Sequence, residues 1–80
     1  MIHAREDYNR RVQDNENLIP FEEPVVLLRA QDKLACRAVA YYAQLCAENQ
    51  APEVAERMHK HAELMQAWPK KKIPDVPKDV

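Results

Sequence analysis

His59 and Glu63 stand four residues apart, the spacing that puts an imidazole and a carboxylate on one side of a helix, within reach of a common metal ion. A zinc site needs further ligands, and none stands at a recognisable spacing, so a solvated ion pair accounts for the two better. His61 points to the other side of the same helix and falls among Met58, Met65 and Trp68. With no second titratable group placed to work with it, it reads as a neutral histidine at the edge of a core. Cys36 lies near the start of a helix, but a nucleophile also needs a base and none is visible. On one helix Cys36 and Cys46 would lie about 15 Å apart along the axis, too far for an intrachain disulfide. Both read as small apolar residues of a reducing compartment. Ser-His-Asp spacing, glycine-rich phosphate loops and zinc cysteine pairs are all missing from the sequence. It therefore predicts no enzyme, no cofactor and no metal centre.

Binding chemistry has more to work with. Arg29, Gln31, Asp32 and Lys33 form the densest polar cluster beside the apolar segments. Between an extended segment and a helix N-terminus they can contact an anion or a nucleotide, above all where an oligomer brings two copies together. The same residues are better explained as an N-cap with solvated charges. The formal net charge is −1, and acids and bases alternate except at Lys70, Lys71 and Lys72, which argues against a long contact with nucleic acid. A strand-helix-helix order is compatible with a ribbon-helix-helix DNA-binding regulator. In that arrangement alternate strand residues must be polar, whereas Val25 to Leu28 are all apolar, and Glu22 and Glu23 would repel phosphate.

The elements that must position these residues begin with an unusually apolar helix. From Leu34 to Glu48 only Arg37, Gln44 and Glu48 are plainly polar, leaving roughly two thirds of the circumference apolar, wider than an ordinary surface helix presents. Asp32 is its expected N-cap and Lys33 its expected start. The chain has no glycine, so Asn49 is expected to supply the left-handed residue that ends it. Pro52 suits the first position of a second helix running to Trp68, whose inward face is expected to be Val54, Met58, His61, Met65 and Trp68. The connection is short enough for an antiparallel hairpin. Before it, Leu18 to Leu28 read as an extended lead-in that covers a second side of the first helix, with Val25 to Leu28 either strand or helix. Residues 1–17 carry few apolar side chains and read as a flexible arm, with Ala4, Tyr8 and Val12 allowing at most a weak helical stripe. Residues 70–80, with Pro74 and Pro77, read as an extended tail.

These readings place the fold in the mainly α class: a flexible arm (1–17), a helical hairpin domain with extended lead-in (18–69) and a tail (70–80). At 80 residues a monomeric core supplies only about 3–5 kcal/mol, so a homo-oligomer is expected. Its interface is expected at Leu34, Ala38, Tyr41, Tyr42, Leu45 and Trp68. No apolar run reaches the roughly 20 residues of a membrane span and the first residues lack a signal-peptide pattern, so no membrane contact and a cytoplasmic location are expected.

The stretch from Glu23 to Ala35, with the hairpin and Met65-Gln66-Ala67-Trp68-Pro69 and its lysines, resembles small uncharacterised accessory proteins of tailed bacteriophages and prophages. The resemblance covers about residues 20–75 and carries no chemical motif. It implies a non-catalytic, oligomeric binding protein of the host cytoplasm that captures or inhibits a host protein. A counter-defence sponge that sequesters a nucleotide signal between subunits is the alternative, and the ribbon-helix-helix regulator a third.

Overall fold

The structure, a computed structural model, describes residues 1–76. Five short elements follow one another: β1 (Ile2–His3), α1 (Glu6–Arg11), β2 (Pro24–Val25), α2 (Ala35–Glu48) and α3 (Pro52–Ala67). They divide into two compact units, one of Met1–Leu27 with Asp75 and Val76, the other of Leu28–Pro74. The chain is thus mainly helical with one short strand pair.

The first unit differs from the flexible arm expected over 1–17. β1 pairs in parallel with β2, Ile2 opposite Pro24 and His3 opposite Val25, which settles the extended form for the start of the Val25–Leu28 run. α1 carries Glu6 and Asp7 in its first turn and Arg10 and Arg11 in its last, each sign at the favourable end of the helix dipole. Tyr8 is the centre of the unit and is only 4% exposed. The Arg5 guanidinium lies over its ring at 4.6 Å and that of Arg11 at 5.8 Å, while the His3 ring meets it edge-on. The buried Asp7 carboxylate accepts from Arg5 Nε at 3.0 Å and Nη2 at 2.7 Å, and lies 3.7 Å from Arg11. Counting apolar residues misses this order, because it comes from one aromatic ring held between two cations that share a carboxylate.

The second unit is the helical hairpin. Its seam on α2 is Ala35, Val39, Ala43 and Cys46, and on α3 Ala55, Met58, Ala62 and Met65, all buried or half-buried and each set at helical spacing. α3 therefore turns about 60° away from the face read from the sequence. Met58 and Met65 stay inward, whereas Val54, His61 and Trp68 are exposed. Alanines opposite alanines let the two backbones approach closely, which Val54 and Trp68 in their place would prevent. Residues 36–40 share one groove with 62–66, and 40–47 share another with 55–59, so the helices run antiparallel as expected.

The ends of the helices show how a chain without glycine makes its turns. α2 starts at Ala35, two residues later than expected, with Leu34 as an N-cap that lacks a side-chain bond. Asp32 acts one step earlier, accepting from the Leu34 amide at 2.7 Å. At the other end Asn49 has φ −119° and Gln50, not Asn49, takes the left-handed conformation at φ 63°. The Ala51 amide then reaches back to the Cys46 carbonyl at 2.9 Å, the long bond of a Schellman motif, and Asn49 Nδ2 donates to the Leu45 carbonyl at 2.7 Å. A side chain with a Cβ resists this conformation. Gln50→Gly is therefore expected to raise stability by about 0.5–1 kcal/mol, roughly 3–6 °C in Tm, read by thermal circular dichroism. A Tm unchanged or lowered would show that the turn carries no such strain.

The boundaries of the hairpin unit also differ from the 18–69 expected. Lys72 donates from its amide to the Gln31 carbonyl at 2.7 Å and accepts from the Lys33 amide at 3.0 Å. Lys71 Nζ donates to the carbonyls of Ala30 at 2.8 Å and Met65 at 2.6 Å. These bonds draw residues 70–74 of the expected tail onto the hairpin. Residues 77–80 of that tail lie outside the described residues. The lead-in residues Leu18, Phe21 and Val26, expected as a second cover of α2, are largely exposed.

Candidate functional site

The side chains with catalytic or metal-binding chemistry come together only in part. Cys36 and His59 line one shallow groove between α2 and α3, together with Glu63. The groove encloses about 170 Å³, below the range of roughly 300–1,000 Å³ typical of ligand pockets. His59 Nε2 lies 3.6 Å from Glu63 Oε1 on a well-solvated surface, and Lys60 pairs with Glu56 at 3.2 Å beside it. Among the described residues no group of three or more His, Cys, Asp or Glu side chains is placed to hold a metal ion.

The polar cluster at Arg29, Gln31, Asp32 and Lys33 is engaged in fastening the chain. The Gln31 carbonyl and Lys33 amide bond to Lys72, and the Asp32 carboxylate closes the turn before α2. The Arg29 and Lys33 side chains are exposed.

The large apolar side chains show the strongest organisation. At about 100° per residue, Leu34, Ala38, Tyr41, Tyr42 and Leu45 fall within one arc of about 100° on α2. Val54, His61, Leu64 and Trp68 fall within about 80° on α3. Both arcs lie on the same flank of the antiparallel pair, opposite the flank whose groove holds Cys36, Ala40, His59 and Glu63. All nine residues are exposed, the seven large aliphatic and aromatic ones between 38% and 68%. The six interface residues expected from the sequence are thus all on this flank. Val54, His61 and Leu64 complete it, and sequence reasoning missed them because it assigned the first two to the inward face and left Leu64 at its edge.

Charge borders the face on α2, where Arg37 and Glu48 flank it on the helical wheel, whereas on α3 Arg57 falls inside the arc, one turn from both Val54 and His61. The Cys46 thiol, one turn beyond Tyr42, holds the Tyr42 phenol above its ordinary value of 10. Together the seven large residues leave roughly 800 Å² of surface exposed, backbone and tyrosine hydroxyls included, the scale of surface that marks an interaction site. The arrangement can exclude water against another apolar surface.

Comparison with protein families, characterised proteins and solved structures returns no match to this chain. Among the described residues no helix is long and apolar enough to cross a membrane.

Proposed function

We propose that this chain is a non-catalytic protein-binding module of the phage-accessory type, acting through the apolar flank of its helical hairpin on other protein chains in a bacterial cytoplasm. The observation that carries the reading is the nine-residue face itself: exposed and built mainly of large apolar side chains, with Arg57 the one charged residue inside its arcs, a composition that suits a protein interface. The resemblance to phage accessory proteins makes a host protein, captured or inhibited, the class of target.

The reading is tested by replacing Tyr41 with photoreactive p-benzoylphenylalanine in bacterial cells and, separately, Gln44, which points away from the face. Irradiation is expected to give a discrete protein adduct from position 41 and none from position 44. If position 41 gives no protein adduct, the binding reading fails.

A further inference from the structure

Resting on that reading, we infer that the occupant of the apolar flank is a second copy of the chain, two hairpins closing face to face about a twofold axis into a four-helix bundle. Any host target is then met by the assembled pair.

Three observations select a second copy. The first is area. Roughly 800 Å² per chain is the share one partner contributes to an interface of standard size, so two copies supply what a stable dimer needs without help from elsewhere.

The second is the state of the hairpin's own core. It buries only Ala35, Ala43, Cys46, Ala62 and Met65, and no large side chain among the described residues is fully enclosed. A two-helix unit with so small a seam lacks the apolar burial that offsets chain entropy, while seven exposed large side chains of α2, α3 and their caps stand on one flank, as in a domain core cut in half. A partner that completes a core must be present whenever the chain folds. Another copy of the chain always is.

The third is the layering along the flank. Leu45 and Val54 lie near the connection, Tyr41, Tyr42 and His61 midway, and Leu34, Leu64 and Trp68 towards the open end. Every layer draws on both helices, which is how the layers of a four-helix bundle are filled when a second pair is set against the first. Within the two arcs Arg57 is the single charged side chain, which makes no pattern requiring a partner of opposite sign, so the surface suits its own copy.

Sedimentation equilibrium of the purified full chain tests the inference. At about 100 µM the wild type is expected to have twice the 9.3 kDa chain mass. Tyr41→Glu, which buries an unpaired carboxylate in the contact, is expected to weaken association about a hundredfold or more. Because such a variant can lose its fold as well, His61→Leu provides the opposite arm. It replaces a polar ring midway along the face with an apolar side chain and is expected to tighten association about tenfold, which a residue outside the interface would not do.

A wild-type mass of 9.3 kDa at that concentration overturns the inference. So does a dimer that Ala47→Glu, on the other flank, disrupts while Tyr41→Glu leaves it intact. A monomer that still gives an adduct with a different protein at position 41 removes the second copy and keeps the binding module. A monomer with no adduct removes both.

Discussion

Met65→Ala is expected to destabilise the hairpin by about 2–5 kcal/mol, the largest loss from any single side chain in that unit. Met65 is its largest buried residue, at 6% exposure, in a seam whose other buried members are three alanines and a cysteine. Removing it deletes the largest buried side chain between α2 and α3, and the alanines around it cannot collapse into the space without bending a helix. Since a chain of this size holds only about 3–5 kcal/mol in total, the variant should be largely unfolded at room temperature, read as loss of the far-ultraviolet helical signal. Met65→Leu nearly conserves volume and is expected to cost less than about 1.5 kcal/mol. A urea midpoint for Met65→Ala close to wild type would mean that the seam does not hold the hairpin.

The second large effect concerns the first unit and acid. Hydrogen bonding to Arg5 is the main cause that holds the Asp7 carboxyl below its ordinary value of 3.8. A carboxyl depressed in the folded state contributes stability that is fully present above its unfolded value and lost as the pH falls through the folded one. The Tyr8 cluster is therefore expected to persist from neutral pH down to about 4 and to come apart below it, as the Asp7 charge that gathers Arg5 and Arg11 is removed. The Tyr8 ring resonances report this directly, moving from shifts set by two overlying guanidinium groups to those of a free tyrosine. Asp7→Asn should bring about the same loss at neutral pH. Ring shifts that are unchanged in this variant, or that persist in strong acid, would show that the cations hold Tyr8 without the carboxylate.

The two units differ in how much of them can be read from residues alone. α2, α3 and their short connection follow from periodicity, from Pro52 at a position where its missing amide proton costs nothing, and from Pro69 beyond the last turn. The order around Tyr8 does not, since Arg5, Asp7 and Arg11 look like solvated charges until the helix stacks two of them on one ring. Nor does the fastening of Lys71 and Lys72 to Ala30, Gln31 and Lys33, a contact between residues some forty positions apart with no periodic signature. The exposed flank lies between these cases. Tyr41, Tyr42 and Leu45 are legible as surplus on an over-apolar helix, whereas Val54, His61 and Trp68 look like core until the alanines of α3 are seen to take that role.

By itself, then, the sequence determined the helical class, the span and connection of the hairpin and the excess of apolar surface on α2, because hydrophobic period and proline placement act locally. Only the tertiary structure decided the rotation of α3. Met58 and Met65 belong to both possible faces, and the choice between Val54 with Trp68 and Ala55 with Ala62 depends on how closely two backbones can pack. That fit turned the large side chains of both helices to one flank and made the surplus on α2 half of a continuous face.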